Sequence, residues 1–98
     1  MIFDRPEVHD FFDNRLVISW TIFQPKELPS LKKILFTISG EPELVFEPNQ
    51  SSILEIPFLK DNTTIINWVV AKPREKTVIS LSLSCPTIEE TQKIVFNP

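Results

Sequence analysis

Residues 63–85 read TTIINWVVAKPREKTVISLSLSC, two apolar runs joined by a charged corner. In the second run Ile79, Leu81, Leu83 and Cys85 fall on one side of an extended chain, and Val78, Ser80, Ser82 and Ser84 on the other. In the first run Ile66, Trp68 and Val70 share a side. A period of two, carried by Ile, Val, Leu and Trp, is the mark of a strand with one face in a core and one outside. The corner AKPREK, 71–76, is polar and holds a proline, which suits a turn and not a ladder. This stretch therefore predicts two half-buried strands with Trp68, Leu81 and Leu83 inside.

The same period runs through most of the chain. LVISWTIF, 16–23, puts Leu16, Ile18, Trp20 and Ile22 on one face. KILFTIS, 33–39, aligns Ile34, Phe36 and Ile38, and ELVF offers Leu44 and Phe46 as a short strand. ILEIPFL, 53–59, groups Leu54, Ile56 and Phe58, with Pro57 marking an edge strand or a bulge. KIVF, 93–96, supplies Ile94 and Phe96, and in EVHDFFD residues Val8, Phe11 and Phe12 suggest a first strand along a sheet edge. Between the runs lie QPKELPS, SGEPE, EPNQSS, KDNT and CPTIEETQ, with most of the nine prolines and the single glycine. Only PSLKKI and PTIEETQK suit a helical turn. Short strands at sandwich spacing without βα alternation predict an all-β fold, an immunoglobulin-like antiparallel two-sheet sandwich of seven or eight strands. At 98 residues the chain, 1–98, is expected to be one domain.

Composition narrows the function. The net charge of −3 and the absence of Tyr argue against a nucleic-acid partner, which calls for a basic stripe and stacking platforms. No run reaches the roughly 18–20 apolar residues of a membrane helix, so no membrane insertion is expected. His9 and Cys85 are each the only one of their kind. They cannot form the ligand set of a zinc site, and Cys85 belongs by alternation to the core face, where a thiol is inert. Asp4, Glu7, Asp10 and Asp13 lack the ordered spacing and turn glycine of a calcium loop. Glu41, Glu43, Glu47, Glu89 and Glu90 supply carboxylates for glycoside chemistry but no evident cleft. Phosphate loops need more than one glycine. No catalytic residue, cofactor or metal is expected. Asn49 and Asn62 each begin an N-x-S/T triplet, a marker for an exported protein. Without a signal peptide after Met1 a cytoplasmic protein is expected, or an extracellular or cell-envelope one if the chain is a piece of a longer exported protein.

The outward positions carry the functional expectation. Alternation turns Val17, Phe23, Leu35, Val45, Ile53, Leu59, Ile65, Val69, Val78 and Val95 away from the core. That number is enough for an apolar patch of the size that marks an interaction site. Phe23, Leu35, Ile65 and Val69 are the expected contacts, with Lys72 and Arg74 as a charged rim, for a protein partner or self-association.

The order of motifs from 33 to 96, in particular LEIPFLKDNTTIINWVVAKPREKTVISLSLS, resembles the immunoglobulin-like domains of bacterial and archaeal proteins. Among these are the CARDB (cell-adhesion-related) family and the similar domain found beside some glycosidases. The resemblance implies a sandwich with Trp68 in its core and a spacer or binding role. The reading is thus a non-enzymatic interaction or scaffold module, working through an apolar sheet face or an edge strand. A carbohydrate or small-ligand module with Trp20 as platform is one alternative. A subunit of a virion, filament or coat complex is another.

Overall fold

The computed structural model describes residues 2–3, 5–11, 13–24, 33–48, 50–57, 62–85 and 88–98. The chain is all-β, with strands β1 (Ile2–Phe3), β2 (Glu7–Asp10), β3 (Arg15–Gln24), β4 (Lys33–Glu41), β5 (Ile53–Pro57), β6 (Asn62–Ala71), β7 (Thr77–Cys85) and β8 (Ile88–Phe96). They form two antiparallel sheets packed as a sandwich. In sheet A, β6 pairs with β3 along the whole of both strands, and β1 and β2 share the other side of β3. Sheet B has the order β5-β4-β7-β8.

Strands β1 and β2 are one edge strand interrupted by a step. Phe3 pairs with Ile22 and Glu7 with Ser19, so the first chain advances one residue more than β3 between these points. The buried Pro6, which has no N–H for a ladder, sits in that step. Counted this way the sandwich has seven strands.

The alternation seen in the sequence sets the core. Leu16, Ile18, Trp20 and Ile22 of β3, with Ile66, Trp68 and Val70 of β6, meet Ile34, Phe36 and Ile38 of β4 and Ile79, Leu81 and Leu83 of β7. Trp20 and Phe36 join the two sheets edge to face, ring centroids 5.9 Å apart and planes at 84°. Thr77 is buried, and its hydroxyl donates to the Glu75 carbonyl at 3.0 Å, which satisfies it.

Sequence and structure part company in two places. Residues 44–46 do not form a strand: Phe46 makes a single bridge to Val70, while Leu44 packs into the core. The described part of PTIEETQK, residues 88–93, is not a helical turn. From Ile88 the chain is strand, fully paired with β7 as far as Phe96. Its inner face is polar in the middle, with half-buried Glu90 opposite Leu83 and Gln92 opposite Leu81, and this hides the alternation. Gln92 Nε2 donates to Glu90 Oε1 at 2.7 Å. An inward charge on an edge strand discourages pairing with another sheet. Asp4, Phe12, Asn49, Phe58, Leu59, the 29–32 part of PSLKKI and the side chains of Asn62 and Cys85 lie outside the described residues.

Candidate docking surface on sheet A

Cross-strand partners point to the same face of a sheet, so the register assigns every outer position. On sheet A, outside, Val17 stands beside His9 and Val69, Ser19 beside Glu7 and Asn67, Thr21 beside Ile65, and Phe23 beside Thr63. Ile65 is 61% exposed, while Val17, Phe23 and Val69 are half-buried. The Ser19 hydroxyl donates to Asn67 Oδ1 at 2.6 Å and divides this surface into two apolar patches, Val17–Val69 and Thr21–Ile65–Phe23. The two span roughly 20 Å along the strands, from six residues at the rise of an extended chain.

The outer face of sheet B is mixed. Ser39, Ser80, Ser82 and Ser84 stand among Thr37, Thr91, Lys93 and Glu89, and with them exposed Ile53 beside Thr37 and exposed Val95 beside Val78. Ser82 and Thr91 hydroxyls are 3.3 Å apart, and Lys33 Nζ pairs with Glu55 at 2.8 Å. Leu35 lies here, 38% exposed, between Glu55 and Ser84. The structure therefore brings Phe23, Ile65 and Val69 onto one face and puts Leu35 on the opposite one. Alternation separates inside from outside but does not say which sheet a strand joins.

The charged rim is also redistributed. Lys72 follows β6, and its Nζ donates to Asp10 Oδ2 at 2.6 Å, both side chains about 30% exposed. The Lys72 amide donates to the Asn14 carbonyl at 2.8 Å, so the β6–β7 corner is pinned to the β2–β3 turn. Asn14 takes the left-handed conformation, φ 68°, that this turn needs. Arg74 is exposed at the corner. Arg15 Nε donates to Asp13 Oδ2 at 2.9 Å; this bond holds the Asp13 carboxyl below its ordinary value and raises the Arg15 guanidinium above its own.

The edge of β6 carried no signal in the sequence. Val45 and Glu47 run beside its last residues: the Ala71 amide donates to the Val45 carbonyl at 2.7 Å, and the Glu47 amide to the Val69 carbonyl at 3.1 Å. The Val69 amide points the same way, toward Gln50 Oε1 at 3.3 Å. Odd-numbered residues of β6 thus direct their backbone away from β3. For Thr63, Ile65 and Asn67 the described residues supply no backbone partner on that side.

A cleft of about 480 Å³ opens where Pro42–Val45 approaches Ala71–Thr77. It is lined by charges of both signs, Glu43, Lys72, Arg74 and Glu75, and by no His. His9 lies on the outer face of sheet A, its Nε2 3.5 Å from Glu7. Among the described residues no three His, Cys, Asp or Glu side chains gather as a metal set. Among those residues no helix is long and apolar enough to cross a membrane.

The fold and its outer faces define the class: an all-β antiparallel sandwich whose two outer surfaces each mix polar and apolar side chains. No family model, curated protein or solved structure matches the chain.

Proposed function

We propose that this chain is a non-enzymatic immunoglobulin-like interaction or scaffold module whose docking surface is the outer face of β3 and β6. The reading is supported by one observation above others: exposed Ile65 shares the outer face of β3 and β6 with Phe23, Val17 and Val69, and borders a stretch of strand edge that has no backbone partner among the described residues. An apolar face bordered by backbone donors and acceptors suits a protein surface that offers both apolar side chains and an extended strand.

The immunoglobulin-like assignment draws on connectivity. Strands β3 and β6 pair in one sheet while β4 and β7 pair in the other, so the chain changes sheets in the Greek-key manner of such sandwiches. The fourth strand, β5, departs from the constant-type order: it pairs with β4 in sheet B, whereas that order sets it in the other sheet beside the equivalent of β6. This order accommodates the CARDB-like resemblance without requiring it.

The carbohydrate alternative loses its platform, because Trp20 and Trp68 are both fully buried. A place in a larger assembly fits the same docking face.

The test is capture of a partner from extract of the source cells, with Ile65→Asp on the docking face and Leu35→Asp on the opposite face. Ile65→Asp is expected to abolish capture with the fold intact by circular dichroism, and Leu35→Asp to leave it unchanged. Equal capture by wild type and Ile65→Asp, or loss confined to Leu35→Asp, would overturn the proposal.

A further inference from the structure

We infer that the open part of the β6 edge pairs with the same edge of a second copy, joining two A sheets antiparallel about a two-fold axis at Ile65. The inference rests on the docking role of sheet A and names its partner.

The sheet edges are not alike. The β1/β2 edge is broken by its step and Pro6, and β5 is five residues long, exposed, and carries Glu55 and Pro57. Strand β8 holds Glu89, Glu90 and Lys93, with Glu90 turned inward. These are the devices by which sheets avoid edge-to-edge pairing. Strand β6, NTTIINWVVA, has no charge, no proline and no glycine. Its only shield among the described residues is the cover over Val69–Ala71 by Val45, Glu47 and Gln50.

That cover also fixes the register. Among the described residues the outward backbone groups of Thr63, Ile65 and Asn67 have no partner, and their centre is Ile65. Antiparallel pairing of two such windows sets Thr63 against Asn67 of the second copy and Ile65 against Ile65. A strand shifted toward Ala71 would meet the 45–47 segment. Every outward N–H in the window then finds a carbonyl, and the two Ile65 side chains meet on the outer face, Cα atoms about 5.5 Å apart as in a hydrogen-bonded pair. Although each copy carries a net charge of −3, the paired window brings no like charges together. A second copy satisfies the edge by symmetry and consumes it, so association closes at the dimer.

Amide exchange by NMR on the full chain, with mass from sedimentation equilibrium on the same samples, tests this. With rising concentration the amides of Thr63, Ile65 and Asn67 are expected to slow by roughly tenfold or more as the mass moves toward the dimer. Those of Ile66 and Trp68, already bonded to β3, stay unchanged. Ile65→Lys and Ile65→Glu are each expected to be folded monomers, since like charges then face each other across the axis. Their equimolar mixture regains the dimer. A wild type that stays monomeric at all concentrations overturns the inference, as does protection of the three amides that ignores concentration. A mixture no heavier than either variant alone also overturns it. Val17→Ser, on the central strand β3, leaves the edge intact and is expected to keep the dimer. If the wild type is monomeric while Val17→Ser loses partner capture, face docking stands and only the self-pairing falls.

Discussion

Replacing Trp68 by Ala should remove a large share of this domain's stability. The side chain is 1% exposed, enclosed by both sheets, and opposite Ile18 across the β3–β6 ladder. Burying an indole removes about 150–250 Å² from water, which at about 25 cal/mol per Å² is about 4–6 kcal/mol. A compact unfolded state and the methyl group that remains reduce this, and Trp→Ala changes in cores cost about 3–5 kcal/mol. Domains of this size are stable by about 5–15 kcal/mol in total, so about a fifth or more of the stability goes. At about 4–8 °C per kcal/mol the melting temperature falls by about 12–40 °C. Urea denaturation followed by far-ultraviolet circular dichroism gives the free energy, with Trp20 fluorescence as a second probe. Ile65→Ala on the opposite face of the same strand is the control, expected within about 0.5 kcal/mol of wild type. A Trp68→Ala loss below about 1 kcal/mol, or a control as damaging as Trp68→Ala, would show that the inside and outside of β6 are misassigned.

Other outcomes follow from local geometry. Gly40→Ala places a Cβ 2.7 Å from Leu44 Cγ and 3.0 Å from the Pro42 carbonyl, so it should destabilise by about 1–3 kcal/mol in the same urea assay. Asn14→Ala, in the left-handed conformation, should cost about 1–2 kcal/mol, and Asn14→Gly should be close to neutral. Arg15→Gln should raise the Asp13 carboxyl toward its ordinary 3.8, read by NMR titration of the side chain. Because the folded value is the lower one, the contribution of this pair is present above the ordinary value and is lost as pH falls through the depressed one. Wild type and Arg15→Gln should therefore differ at neutral pH and converge in stability at the acid end. An Asp13 titration unmoved by Arg15→Gln would remove the hydrogen bond as its cause.

Much of this fold was legible because the core is built by strict alternation on long strands. Leu16 to Ile22, Ile34 to Ile38, Ile66 to Val70 and Ile79 to Leu83 are all buried at the positions that the period of two selects. The outward set was only partly readable: Ile65, Val45, Ile53, Val95 and Leu35 are exposed, Val17, Phe23, Val69 and Val78 are half-buried, and Leu54, grouped inward by its period, is exposed on the edge strand β5. The failures have separate causes. KIVF, 93–96, is the second half of β8; its first half escaped because Glu90 and Gln92 occupy inner positions at the sandwich edge, where partial exposure tolerates them. Leu44 buries its side chain without a ladder, so an apolar pair at 44 and 46 imitated a strand. Leu35 was grouped with Ile65 because period alone gives no sheet membership; that comes from pairing between residues such as Leu35 and Ser84, far apart in the chain. The Lys72–Asp10 bond spans 62 positions and has no local sign at all.

Hydroxyl-radical footprinting of the dilute purified protein, compared with the same protein in extract of its source cells, addresses the docking surface most directly. Protection is expected at Phe23 and Ile65, with Leu35, Ile53 and Val95 as reactive as in the purified sample. Protection centred on Leu35, Ile53 and Val95 instead, or no change at Ile65, would mean that the outer face of β3 and β6 is not where this protein meets its partner.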